Sequence, residues 1–249
     1  DGSFVFTYAK QSGNRDNSNF LNLVFKAPLQ NTFTYRDIDL QEKYVDEIKL
    51  KIDNRNSRYI LNTFYYKKNR GSIEGLFTGV WDKANEKIFA SQFIELYDSL
   101  RYEAKSGGLL RFAFDNFFIR QIVVKGDGGF ILAAEDYTTD TRGNNFNRYD
   151  YLYNPYSLSS GGYYYNPYTG YYRPYNRFDN QSTRYYCENI LVLSISKTGI
   201  LEWSRVLHKS QFDDNEENFL SFSTLTSGNE IHFLFNNDKK FQVITDQGI

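Results

Sequence analysis

The chain has 249 residues and a formal net charge of −1, so it builds no field of one sign that would hold nucleic acid or an anionic membrane surface. Hydrophobic residues make up 41%, which is enough to pack a core and excludes global disorder. No apolar run approaches the ~18 residues of a transmembrane helix, so the chain carries no transmembrane segment of that kind.

In chain order, the first element is a turn followed by an apolar strand, DGSFVFTYAK from Asp1. NFLNLVFK (Asn19–Lys26) and TFTYRDI (Thr32–Ile38) continue it as strands. EIKLKI (Glu47–Ile52), NSRYILNTFYYKK from Asn56, IEGLFTGVW (Ile73–Trp81) and EKIFASQFI (Glu86–Ile94) make a second series. Many of these alternate apolar and polar residues, as half-buried strands do. ELYDSLRYEAKSGG (Glu95–Gly108) reads instead as a short helix, because Leu96, Leu100 and Ala104 fall four apart on one face and Gly107 supplies a stop. Strands resume with FFIRQIVV (Phe117–Val124), DGGFILAAEDY from Asp127, NILVLSIS (Asn189–Ser196) and ILEWSRVL (Ile200–Leu207). FLSFSTL (Phe219–Leu225), SGNEIHFLFNN from Ser227 and KFQVITDQGI close the chain.

These segments fall into a four-strand unit, which predicts an all-β, β-propeller-like fold with four-stranded antiparallel blades. Phe4 to Tyr59 is a step of 55, and the longer steps to Phe130 and Ile231 shrink to about the same value once two insertions are removed. The expected blades are about residues 1–38, 44–94, 117–207 and 219–249, in a single domain. About three and a half blades predict an incomplete ring, in which the chain is part of a longer protein or something else closes the circle. A meandering β-sandwich is the alternative arrangement. In a blade, strands run alternately up and down. The long excursions therefore share one end: Lys67–Gly71, Glu95–Gly108, His208–Asn218 and a Tyr-rich insertion at about Thr138–Tyr186.

That insertion carries the candidate functional residues. Between Tyr149 and Tyr186 lie 13 of the chain's 22 tyrosines, with YNPY at Tyr153–Tyr156 and again at Tyr165–Tyr168. The remainder is mostly Ser, Gly and Asn, the composition of antibody paratopes, where Tyr offers large amphipathic area with few rotatable bonds. Each exposed Tyr forgoes about 1–3 kcal/mol of burial, so the set is expected to bury against its own domain or against a partner. The expected partner-binding residues are Tyr153, Tyr156, Tyr163, Tyr164, Tyr165, Tyr168, Tyr171, Tyr172 and Tyr175. Carbohydrate stacking is the alternative, with Asp136, Asp140, Asn144 and Asn145 as its polar groups.

No catalytic motif is present. There is no GxSxG, P-loop or Rossmann fingerprint, and GDGG (Gly126–Gly129) precedes a strand and not a helix. One cysteine, Cys187, excludes an internal disulfide and a Cys-based zinc site, and His208 and His232 form no HExxH pattern. Asp213, Asn215 and Glu217 have an i, i+2, i+4 spacing open to calcium, but the glycine and distal Glu of an EF-hand loop are missing. The reading is therefore of a non-enzyme without metal or cofactor.

GDGGFILAAEDY followed by NILVLSISKTGILEWSRVL resembles the exported β-propeller-like repeat proteins of Bacteroidota that carry a Tyr/Asn/Pro/Gly-rich loop. The match covers about Lys125–Phe235 and implies export to the periplasm or outer cell surface. It also implies a binding or scaffold role in the cell envelope, docking a protein partner such as an outer-membrane or secretion component. A surface carbohydrate-binding or glycan-processing propeller is the alternative implied. The resemblance carries over no catalytic residues.

Overall fold

The computed structural model describes residues 2–11, 13, 16–105, 109–141, 144–153, 163–165, 172–174, 183–214, 216–236 and 244–245. In chain order the strands begin with β1 (Phe4–Ala9), β2 (Leu21–Lys26), β3 (Thr34–Ile38), β4 (Tyr44–Asp53), β5 (Arg58–Tyr66), β6 (Gly75–Asp82) and β7 (Lys87–Glu95). After helix α1 (Asp98–Ala104) come β8 (Phe117–Val124), β9 (Phe130–Thr141) and β10 (Asn144–Asn145). Helix α2 (Arg148–Tyr153) precedes β11 (Tyr163–Tyr165), β12 (Tyr172–Pro174), β13 (Thr183–Ile195), β14 (Leu201–Leu207) and β15 (Gln211–Asp214). The last strands are β16 (Ser223–Ser227), β17 (Glu230–Leu234) and β18 (Ile244–Thr245).

The fold is all-β in character, a series of antiparallel sheets of which none closes on itself among the described residues. A first sheet has the order β1-β2-β3, and a second has β4-β5-β6-β7. The third contains β8-β9-β13-β14, with β10 added beside β9 and β15 beside β13. The last runs β16-β17-β18, and β11 and β12 form a separate hairpin. A shift of 55 residues carries the pair Phe4↔Lys26 of the first sheet onto Tyr59↔Trp81 of the second, and Phe6↔Val24 onto Leu61↔Gly79.

The chain divides into two compact units, residues 1–134 with 191–206, and residues 135–190 with 207–249. In the first unit the second sheet is covered on both faces. Tyr59, Leu61, Tyr65, Phe77 and Trp81 pack with Leu21, Leu23 and Ile38 of the first sheet. Ile60, Phe64, Tyr66, Leu76 and Ile94 pack with Phe117, Ile119, Phe130, Leu132, Leu191 and Leu193. Two-sided burial explains why RYILNTFYY and GLFTGVW read as nearly unbroken apolar runs. Leu96, Leu100 and Ala104 enter the same core, so α1 is an amphipathic helix laid on the sheets as its spacing predicts. Close packing also dictates Gly75: a Cβ there would stand 2.0 Å from the Ile94 carbonyl oxygen and 2.6 Å from the Tyr65 ring.

Within this unit the longer connections meet at one end. Arg70 donates its backbone N–H to the Asn17 side chain and its guanidinium to Asp16, joining the β1–β2 and β5–β6 connections. Arg101 of α1 donates to the Ile73 and Glu74 carbonyls, and the Asp115 carboxylate accepts from the Ile73 N–H.

Beyond shifts of a few residues at strand ends, such as β4 starting at Tyr44 and not Glu47, the structure departs from the sequence expectation around the insertion and after β14. The Tyr-rich insertion is expected at Thr138–Tyr186, yet β9 runs on to Thr141 and β13 starts at Thr183. These extra residues form ladders because β10 and β15 lie alongside them. The segment Phe219–Phe222 precedes strand β16 instead of belonging to it, because a turn closed by Leu220 N–H to the Glu217 carbonyl occupies its start. QFDD, expected as part of a loop, is strand β15.

Candidate functional site

The second unit is built around the stem of the insertion. β9 and β13 supply the rails, and their polar residues are held by a buried network. Glu135, inside the otherwise apolar FILAAEDY run, forms an ion pair with Lys209 at 2.8 Å, and neither side chain reaches solvent. The Lys209 ammonium also donates to the Cys187 carbonyl and the Gln211 side-chain oxygen, both at 2.7 Å. Glu135 accepts the Ser221 hydroxyl at 2.6 Å, and the Gln211 amide donates to the Asn236 carbonyl at 2.6 Å. The Lys209 charge at one Glu135 oxygen and the Ser221 hydroxyl at the other are what let this carboxylate stay buried. The network ties β9, β13, β15 and the approaches to β16 together without offering a reactive group to solvent.

Beyond it the stem turns aromatic. Tyr137 donates its hydroxyl to Glu217 at 3.0 Å. Burial first, then the Glu217 charge, push its phenol well above the usual tyrosine range. The Tyr137 ring packs with Tyr151 at 4.9 Å and with Phe146 at 5.9 Å between centroids, which seats α2 on β9. Asn147 caps that helix, its side-chain oxygen accepting the Tyr149 N–H at 2.9 Å. On the other rail Arg184 makes a two-point pair with Asp214 at 2.7 and 3.0 Å and stacks over Phe212. That guanidinium holds the Asp214 carboxyl below the ordinary range. At the root, the hydroxyls of Thr141 and Thr183 lie 2.9 Å apart. The last residue of β9 and the first of β13 therefore meet side by side at the root of the insertion.

No family model, curated protein or solved structure matches the chain. Its function has to be argued from this stem and the segment it carries.

Of the expected partner-binding tyrosines, Tyr153 ends α2. Tyr163, Tyr164 and Tyr165 form β11, paired antiparallel with β12, so that Tyr165 stands opposite Tyr172. The structure therefore brings Tyr163, Tyr164, Tyr165 and Tyr172 into one hairpin. Tyr156, Tyr168, Tyr171 and Tyr175 lie outside the described residues.

Of the other candidates, the structure brings Asp140, Asn144 and Asn145 together in the β9–β10 ladder, where Asn145 pairs with Asp140. Asp136 is buried. Asp213 belongs to β15, Glu217 is taken by Tyr137, and Asn215 lies outside the described residues. Among the described residues no group of three or more His, Cys, Asp or Glu side chains is placed to hold a metal ion. Trp81 is buried in the core shared by the first two sheets. His208 faces the Asn189 side chain at 3.3 Å, and His232 approaches Glu230 at 3.4 Å. A shallow groove of about 230 Å³ runs between β4 and β8, lined by Lys49, Lys51 and Arg120 among aliphatic neighbours. Lys49 is already paired with Glu47 at 2.7 Å there.

The residues missed in the sequence are Glu135, Lys209, Gln211 and Ser221. A carboxylate ending an apolar strand run was the available signal, because such a group must be paired to be buried. Nothing in the sequence named Lys209 as its partner, 74 positions away.

Proposed function

We propose that the chain is a β-propeller-like, non-catalytic scaffold of the bacterial cell envelope that docks a protein partner through its Tyr-rich insertion. The equal register of β1/β2 and β5/β6 at a shift of 55 residues supports the modular reading, and so does the meander order of the first two sheets. On this reading the protein is exported, to the periplasm or outer cell surface. The resemblance of GDGGFILAAEDY and NILVLSISKTGILEWSRVL to exported propeller-like repeats supports that location, and the partner class is an envelope or secretion component.

One observation carries the docking role. The insertion is rooted at the Thr141–Thr183 contact on rails held by a fully buried Glu135–Lys209 pair. A rigid stem reduces the entropy that an aromatic-rich loop loses on binding.

The test replaces residues 154–182 with a short Gly/Ser linker, leaving β10, α2 and both rails in place. The expected result is an unchanged thermal midpoint with loss of a protein that co-purifies with the intact chain from native membranes. Retention of that protein by the shortened chain overturns the docking role. Glycan-array binding that disappears with the same replacement replaces it with the carbohydrate reading.

A further inference from the structure

The first sheet turns one face to the second sheet and the other outward. Cross-strand register sets Phe6 and Tyr35 on either side of Val24 on the outer face, with Phe4, Tyr8 and Phe33 on the same side of the chain two residues away. Phe4 is 64% exposed and Tyr35 56%; Phe6, Tyr8, Phe20 and Phe33 are also exposed. Phe6 and Phe33 meet edge to face at 5.8 Å, as do Tyr8 and Phe20 at 6.2 Å. At ~200 Å² per aromatic residue, about half of it exposed, the six present roughly 600 Å². That equals or exceeds the largest apolar patch of an ordinary monomer and approaches the ~800 Å² per partner of a stable interface.

The second sheet says what belongs there. The same 55-residue shift carries Phe4, Phe6 and Tyr8 to Tyr59, Leu61 and Thr63, and Lys26 to Trp81. Those positions of the second sheet are buried, and Tyr59, Leu61 and Trp81 are covered by the first sheet through Leu21, Leu23 and Ile38. The exposed aromatic face thus occupies the positions that, one module along, lie under the preceding sheet. β1 is also an edge strand, and its sheet has no counterpart of β4 among the described residues, so its outer backbone groups face no ladder partner in the sheet.

We propose that this face docks a further antiparallel sheet of the same module type, one that presents an aliphatic surface like that of Leu21, Leu23 and Ile38. It continues the interface already formed by the first sheet on the second and by the second on the third. The inference rests on the modular reading of the sheets, and not on the Tyr-rich insertion, so replacing residues 154–182 leaves it untouched.

The experiment places photoreactive benzoylphenylalanine at Phe6, with Phe89 as the exposed control, in the protein as its own cells make it. Cross-linked peptides are sequenced by mass spectrometry, and hydroxyl-radical oxidation of Tyr8 and Tyr35 is compared between those cells and the purified chain. The expected result is a cross-link from position 6 into a turn-plus-apolar-strand segment outside residues 1–249, with Tyr8 and Tyr35 oxidised at least fivefold more slowly in the cell. Phe6→Lys should abolish that protection. A cross-link to a second copy of this chain overturns the proposal in favour of self-association. A cross-link into a segment without the strand pattern, no cross-link, or equal oxidation in both settings overturns it outright.

Discussion

The Lys209 ammonium lies 2.8 Å from the Glu135 carboxylate, with 1% and 0% of the two side chains exposed. Removing one partner strands the other charge away from water, which costs about 3–5 kcal/mol. Lys209→Met should therefore lower stability by about that amount in urea unfolding. Adding Glu135→Leu should restore much of the loss, because the orphaned charge goes with it. A single-variant loss below ~1 kcal/mol would show that the pair is not insulated as its geometry requires.

Arg101 fastens α1 to the sheet connections. It donates to the carbonyls of Leu96 at 2.8 Å, Ile73 at 2.8 Å and Glu74 at 3.2 Å, and its guanidinium lies over Phe114. Arg101→Met keeps the aliphatic stem but removes the guanidinium donors to the Leu96 and Ile73 carbonyls, while Glu74 keeps the Leu96 N–H, an expected loss of about 3 kcal/mol. Arg101→Lys should recover less than half, because one ammonium cannot span carbonyls that the planar fork reaches together. Equal stability of the Lys variant and the parent, by thermal denaturation, would refute the fork's role.

Gly75→Ala tests the packing of the second sheet. The added carbon would meet the Ile94 carbonyl oxygen, which belongs to the β6–β7 ladder and cannot rotate away. Overpacking of this kind costs about 1–3 kcal/mol. Gly126→Ala is the matched control, since the nearest atom to its Cβ is an Arg55 guanidinium nitrogen at 3.7 Å. The first variant should lower the denaturation midpoint clearly, and the second should leave it in place.

Glu202 gives a pH signature. The Lys125 hydrogen bond, and then the Ser194 hydroxyl, hold its carboxyl below the ordinary glutamate range against the opposing effect of burial. A depressed folded value means that the stabilisation is present above the unfolded value of about 4.3 and is lost as pH falls through the folded value. Glu202→Gln should therefore be less stable than the parent at pH 7, with the gap closing as pH falls below about 4. A gap that stays constant from pH 7 to pH 3 would count against the assignment. High salt should narrow the gap at pH 7 because the pair is partly exposed.

The strands were legible because their residues obey local rules. FFIRQIVV is β8 residue for residue, and the four-residue spacing of Leu96, Leu100 and Ala104 located α1. The stem was not legible in the same way. QFDD carries a strand's pattern only weakly, and β15 forms because β13 offers Tyr186 and Cys187 as ladder partners for Phe212 and Gln211. The exposed face of the first sheet was likewise hidden: Phe4, Phe6 and Tyr8 alternate as core residues do, and sequence alone does not say which side is covered. The tyrosines of the insertion announced themselves by composition, whereas the ion pair beneath them joins residues too far apart for any local pattern.

Cys187 is the chain's one sulfhydryl, and it is buried beside the ion pair. Any cysteine engineered onto the surface is then the sole rapid target for a maleimide dye, so distances and binding can be followed without first removing a native thiol. The slow reaction of Cys187 itself becomes a clock for how often the stem breathes.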